Sequence, residues 1–302
     1  MRERIETLIE NLNQTIVGKS EAIRLVLVAL FSGGHALLED VPGVGKTLLA
    51  KSLARCIDGR FQRLQCTPDL LPTDITGTNI WNPSSGEFQF MPGPVFANIL
   101  LADEINRATP RTQSALLEVM EEHQVTTDGV SRPVPDPFFV IATQNPVEYQ
   151  GTFPLPEAQM DRFALSFSLG YPTEAEELGM LQRLGAGPSL QPGPPCITLA
   201  EILSLRQQCG QVHLESSLQQ YLLDLVRATR THPDITLGVS PRGAVAFYRA
   251  IQALAYVEGR NYALPDDAKA LAPYVLPHRL IPVGNARALD LIHQLLESIP
   301  IP

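Results

Sequence analysis

The sequence predicts an α/β fold: a mainly parallel sheet with two inserted β-hairpins, followed by a small all-helical domain. Three observations predict it. Five short apolar runs (Ala36 to Glu39, Phe61 to Gln65, Ile99 to Ala102, Phe138 to Thr143 and Leu165 to Leu169) read as strands, and helical patterns separate several of them. Two segments with polar turns, Asn79 to Phe90 and Val125 to Val134, read as hairpins set between these strands. After Gly170 the apolar spacing is helical only, so the chain divides into an α/β domain over 1–170 and a helical one over 171–302.

Taken in order, a helix is expected over Glu21 to Phe31, with Ser20 as its N-cap and Gly33-Gly34 as its stop. Gly18-Lys19-Ser20 spells the end of a phosphate-binding loop, but position 13 is Asn13 and no apolar strand leads in. The stretch from Leu37 to Thr47 differs. A short apolar strand runs into Pro42-Gly43-Val44-Gly45, and Lys46-Thr47 open an apolar helix from Leu48 to Ile57. Phosphate binding needs this order, because backbone N–H groups of a tight loop wrap the phosphates and a helix N-terminus points at them. A lysine then reaches the β- and γ-phosphates, and a hydroxyl holds Mg²⁺. The strict pattern G-x-x-x-x-G-K-[ST] puts glycine where this chain has Asp40.

Asn98 to Glu104 is an apolar run ending in two carboxylates. A buried parallel strand reads this way when acids stand at its C-terminal edge, where ligands bind in open α/β sheets. An Asp beside the loop holds the Mg²⁺ shell, and an adjacent Glu can polarise the attacking water. The two motifs together read as a nucleotide triphosphatase. Asn145 follows the next apolar strand and either hydrogen-bonds a γ-phosphate or starts the turn before Pro146. Trp81, Phe88 and Phe90 on the first hairpin read equally as a partner surface or as packing within their own domain.

Beyond Gly170, Thr173 with Glu176 and Thr198 with Glu201 fit the capping box, and Leu184 to Pro195 is a Gly- and Pro-rich loop. Helical patterns follow at Ser216 to Arg230, Pro241 to Glu258, Asp266 to Tyr274 and Asn285 to Ser298. Ser240 caps the second of these with Pro241 in its first turn. Arg242 opposes the helix dipole there, a local cost that an anionic ligand could offset.

At 302 residues the chain can bury a large core, and 44% hydrophobic with 18% charged residues is ordinary for a soluble globular protein. A formal charge of -9 argues against a surface built mainly for nucleic acid phosphates. Cys56, Cys66, Cys196 and Cys209 have no metal-ligand spacing and read as buried free thiols. Without a signal peptide or an apolar run of about 18 residues, a cytoplasmic location is expected.

The sequence resembles the AAA+ ATPases, specifically the MoxR family. The resemblance runs from about Ile16 to the C-terminus. It rests on Leu38 to Thr47, Asp74-Ile75-Thr76-Gly77, Ala102 to Ala108, Ala142 to Pro146 and Asp161-Arg162-Phe163. It implies an AAA+ P-loop domain with a helical lid, ring assembly, often hexameric, and ATP·Mg²⁺ between subunits. Lys46 and Thr47 match the phosphate-loop pair within a nucleotide-binding stretch from Pro42 to Leu48. Asp103 matches the Mg²⁺-shell acid, and Glu104 the water-activating base. Asn145 matches sensor 1, Arg162 the arginine finger supplied to the neighbouring subunit, and Arg242 sensor 2, in cis or in trans. Val17-Gly18 resembles the segment that contacts adenine, and Arg107 and Arg111 either reach across an interface or form surface ion pairs. Asp40 in place of glycine looks normal for the family. The implied role is chaperone-like remodelling or maturation of a partner, typically one linked to a von Willebrand factor A domain. Three rival readings remain at this level: a nucleotide-gated assembly scaffold, a magnesium-chelatase-type ATPase subunit, and a DNA-directed motor, which the charge disfavours.

Overall fold

The computed structural model describes residues 2–145, 151–185 and 194–302. Helices α1 (Arg2–Thr15) and α2 (Ser20–Phe31) come first, and β1 (Ala36–Glu39) then leads into α3 (Lys46–Cys56). Next come β2 (Phe61–Gln65), the short α4 (Pro72–Thr76), and a hairpin of β3 (Gly77–Asn82) and β4 (Glu87–Pro92). β5 (Ile99–Asp103) and α5 (Pro110–Glu122) precede the second hairpin, β6 (Gln124–Thr127) and β7 (Val130–Pro133). β8 (Phe139–Gln144), α6 (Glu157–Met160) and β9 (Leu165–Phe167) follow. The C-terminal part comprises α7 (Glu174–Gly185), α8 (Leu199–Cys209), α9 (Ser216–Thr231), β10 (Ile235–Leu237), α10 (Pro241–Val257), α11 (Pro265–Val275), β11 (Ile281–Pro282) and α12 (Ala288–Ser298).

The five expected strands form one sheet in the order β2-β5-β8-β1-β9, parallel throughout. Residues alternate along its strands as a two-residue period demands. Leu37, Leu100, Ala102, Val140 and Ala142 face the side covered by α5. Ala36, Leu38, Ile99, Leu101, Phe139 and Ile141 face the side covered by α1, α2 and α3, and that apolar cluster continues into the C-terminal helices. Both faces are covered, so the strands read as continuous apolar runs. The two hairpins stand apart from the main sheet as separate two-stranded ribbons.

Three local expectations change. Ser20 is itself helical and does not cap: Lys19 holds the cap position, and Ser20 Oγ donates to Asn13 Oδ1 at 2.8 Å. β9 stops at Phe167 because residues 168–170 turn to bind Asp40. The C-terminal part carries a short antiparallel ribbon, β10 with β11, among its helices. Its strands are too short for alternation to show, and Pro282 has no N–H to give a ladder. Helix α7 runs to Gly185, and the rest of the expected Gly- and Pro-rich loop lies partly outside the described residues.

Candidate nucleotide site

The parallel sheet brings the C-terminal ends of β1, β5 and β8 to one edge, where the phosphate-loop motif and the acidic pair meet. Gly43 and Gly45 adopt φ of 89° and 101°, a left-handed conformation that disfavours side chains. No atom lies within 4 Å of where a Cβ would stand at either, so the need is for backbone conformation and the space before the loop is open. Gly45 holds the N-cap position of α3, whose first-turn N–H groups lack helical partners and face that space. Lys46 Nζ donates to the carbonyls of Asp40 at 3.1 Å and Val41 at 3.2 Å, folding back over its own loop.

The geometry also accounts for Asp40. Its carboxylate is buried, 4% exposed, and accepts from Ser168 Oγ at 2.5 Å and from the backbone N–H groups of Leu169 at 2.6 Å and Gly170 at 3.1 Å. Charged hydrogen bonds of this kind are the strong ones. Asp40 therefore ties the start of the phosphate loop to the segment leaving β9.

Asp103 ends β5, buried at 6% exposure. Arg63 Nε donates to its Oδ2 at 2.7 Å and Thr143 Oγ1 to its Oδ1 at 3.3 Å. The next residue, Glu104, has φ of 57°, uncommon for a side chain. Its N–H donates to Thr143 Oγ1 at 2.9 Å, so one hydroxyl fixes both acids. The Glu104 carboxylate accepts from Gln65 Nε2 at 2.9 Å and pairs with Arg107 Nε at 3.4 Å. That contact puts Arg107 in an ion pair on its own chain.

Pro42, Gly43, Gly45, Lys46, Thr47 and Leu48 line one cleft of about 380 Å³ with Asp103 and Glu104. Across the loop, Val17 and Val44 line a smaller apolar pocket of about 110 Å³ with Thr15, Ile16 and Pro172. Gly18 stands beside it with φ of 73°, and a Cβ there would strike Glu176, the capping acid of α7, at 2.0 Å. The layout suits a nucleoside triphosphate, with an apolar slot for a base and an open cradle for phosphates. A hydroxyl at Thr47 and a carboxylate at Asp103 are the hard oxygen donors Mg²⁺ takes alongside water and phosphate. Asn145, 8% exposed, follows β8 at this same edge.

Arg63, Gln65 and Thr143 belong to this cleft; no motif contained the first two, and Thr143, inside the Ala142 to Pro146 stretch, was given no role. The signal for two of them was present. Arg63 and Gln65 alternate along β2 and so share a face, which turned out to be the one facing the acids.

Arg162 and Arg242 lie elsewhere. Residue 164 donates its N–H to His35 O at 2.8 Å, and Ala36 registers with Leu165. Arg162 therefore precedes the N-terminal edge of the sheet, whereas the phosphate loop follows the C-terminal edge. The four residues of β1 put roughly 13 Å between those edges. Arg162 pairs with Glu121 Oε2 at 2.6 Å and donates to Leu117 O at 2.6 Å. Arg242, in the first turn of α10, pairs with Glu121 Oε1 at 2.9 Å. Both arginines share one carboxylate in a cleft of about 200 Å³ that contains none of the phosphate-loop residues.

Asp161 anchors this second cleft. It accepts from Arg279 Nε at 2.7 Å and from Ser240 Oγ at 2.6 Å, and Ser240 Oγ in turn accepts from Gly243 N–H at 3.0 Å as the α10 cap. Burial pushes the Arg279 pKa down to about 10, opposed by Asp161, so it keeps its charge at neutral pH.

Comparison with known proteins agrees with this layout. Residues 35–165 match the model of the ATPase family associated with various cellular activities (AAA), and residues 227–295 match the AAA lid domain. The chain is 46% identical over 299 residues to protein YeaC of Bacillus subtilis, covering 97% of this chain and 93% of that one. It is 40% identical over 312 residues to Chaperone MoxR1 of Mycobacterium tuberculosis, covering 99% of this chain and 82% of that one. A crystal structure from Cytophaga hutchinsonii superposes with a TM-score of 0.92 at 38% identity, covering 100% of this chain and 96% of that one. The fold and its site thus define an AAA+ ATPase with a lid. Within that class the chain belongs to the MoxR family.

Proposed function

We propose that this chain hydrolyses ATP between subunits of a ring, and that the ring remodels or matures partner proteins. One observation carries the reading: the cationic cleft with Arg162 and Arg242 sits at the opposite sheet edge from the phosphate loop. One chain therefore holds two halves of a site that only a neighbour can join. The triphosphate would lie on Gly43 to Thr47, with Lys46 turned from the loop carbonyls to the β- and γ-phosphates. Thr47 and Asp103 would hold Mg²⁺, which when bound neutralises phosphate charge. Glu104 would take the proton of the attacking water, and Asn145 would orient that water or the γ-phosphate. Val17 and Gly18 would border the adenine.

Arg162 would stabilise charge developing on the neighbour's γ-phosphate, a contribution of roughly 10³–10⁵ in rate. Arg242 shares its counter-ion and so acts in trans with it. The proposal includes a hexameric ring, the domain division at residue 170, a cytoplasmic location for this chain, and a partner carrying a von Willebrand factor A domain. Support for a client-remodelling role is the relative named Chaperone MoxR1. A scaffold without turnover would not need the Glu104 and Arg162 chemistry, and a charge of -9 disfavours a DNA motor over a protein client.

Mixing two inactive variants tests the reading. Lys46→Ala loses ATP binding and Arg162→Ala keeps binding but hydrolyses poorly. In mixed rings some interfaces pair an intact phosphate loop with an intact finger, and activity partly returns. Mixed rings as inactive as either parent would show that Arg162 does not act in trans.

A further inference from the structure

We propose that Glu121 is a positioning residue, holding Arg162 and Arg242 side by side as one cationic unit offered to the neighbouring subunit's nucleotide. The inference rests on the reading that these arginines act in trans. Glu121 stands in the last turn of α5 and divides its two oxygens, Oε2 to Arg162 at 2.6 Å and Oε1 to Arg242 at 2.9 Å. The two guanidinium groups come from distant parts of the chain, one ahead of β9 and one at the start of α10. Without an anion between them the cations would repel, and Arg242 would also face the positive end of its own helix. Helix α5 supplies both partners of Arg162, since the Leu117 carbonyl accepts from it at 2.6 Å.

The trio is accessible. Side-chain exposure is 47% for Arg242, 36% for Glu121 and 26% for Arg162, so a neighbour can reach them. The cleft around them is lined by Arg162, Arg242, Arg249 and Arg279 against two carboxylates, Glu121 and Asp161. Four cations against two anions leave it positive on a chain whose net charge is -9, which calls for an anionic ligand. One carboxylate between two arginines fixes their spacing and leaves one positive charge of the trio for phosphate.

The test uses Glu121→Ala and Glu121→Gln in the full chain. Turnover of the assembled ring should fall about 100-fold, the scale of a misplaced catalytic group, while ATP binding is unchanged. The side on which the defect acts separates positioning from general damage. Mixed with Lys46→Ala, Glu121→Ala should recover activity, because its own phosphate loop is intact and its neighbour supplies the ordered arginines. Mixed with Arg162→Ala it should not, because no subunit then offers a working finger. The control is Lys46→Ala with Arg162→Ala. If the control recovers and Glu121→Ala fails with Lys46→Ala, or recovers with Arg162→Ala, the role of Glu121 is overturned and the trans reading stands. If the control stays inactive in mixed rings, the trans reading falls and this inference with it. Undiminished turnover, or loss of ring assembly in both Glu121 variants, also overturns it.

Discussion

Asp40 occupies the one position where the phosphate loop departs from the strict pattern, and the structure gives the departure a reason. A glycine there would satisfy the loop and leave the Leu169 and Gly170 N–H groups without their carboxylate. Asp40→Asn should therefore cost about 1.5–3 kcal/mol, the range for hydrogen bonds to a charged group. Urea unfolding of the two proteins measures it, and equal midpoints would contradict the assignment. Glu104 is a second such residue, placed by a left-handed backbone and by Thr143. Glu104→Gln should keep ATP binding and slow hydrolysis by roughly 10²–10⁴-fold, because an amide cannot accept the water's proton. Binding and turnover on one preparation test this, and normal turnover would remove Glu104 from the base role. The motif residues themselves were legible because their chemistry is local. Glu121 was not, since nothing in a helix ending in Glu121-Glu122 says which acid meets two distant arginines.

Among the elements, the start of α10 and the turn after α11 are held to the sheet domain by Asp161. Arg279 reaches it with a side chain 1% exposed, and also donates to the Phe163 and Ala164 carbonyls. Gly243 makes room, for a Cβ there would stand 2.8 Å from Arg279 Cδ. Asp161 thus sets how the lid meets the turn that carries Arg162, ahead of β9. Removing one partner of a buried pair strands the other charge, so Arg279→Met should destabilise by about 3–5 kcal/mol. A denaturation midpoint close to the parent's would refute it. The hairpins show another limit of pattern reading. Phe90 packs edge-on to Phe96 at 5.6 Å with Arg132 over its face at 4.1 Å, whereas Trp81 and Phe88 meet edge to face at 5.2 Å and stay 51% and 70% exposed. Alternation announced both ribbons and could not say which aromatic turned inward.

At the scale of the whole molecule, the buried His35 and the half-buried His278 make stability depend on pH. Burial pushes His35 from 6.5 down to about 3; its Nδ1 accepts from Val140 N–H and its Nε2 faces Met120 O. Burial and then the neighbouring Arg279 charge lower His278 in the same direction. Unfolded, both take up protons near 6.5, while the folded chain keeps them neutral below that. The unfolded state therefore binds more protons between about 6.5 and about 3, and stability falls as pH falls through that window. His35 contributes up to about 1.4 kcal/mol per pH unit there, and His278 acts in the same direction. Urea midpoints should be lower in mildly acidic buffer than at neutral pH, and a flat profile would contradict the neutral state of these rings in the folded chain.

The sequence by itself determined the strands of the sheet, the phosphate loop, the acids after β5 and the helical character of the C-terminal part. These follow from short-range rules: apolar period, glycine conformation and capping chemistry act within a few residues. Membership of the family was legible for the same reason, because its motifs are contiguous. Only the tertiary structure decided that Asp40 binds the end of β9, that Gln65 and Arg63 face the acidic pair, and that Arg162 and Arg242 share Glu121. Each of those contacts joins residues far apart in the chain. Which ones meet depends on strand order and on how the lid docks, and no local pattern records that.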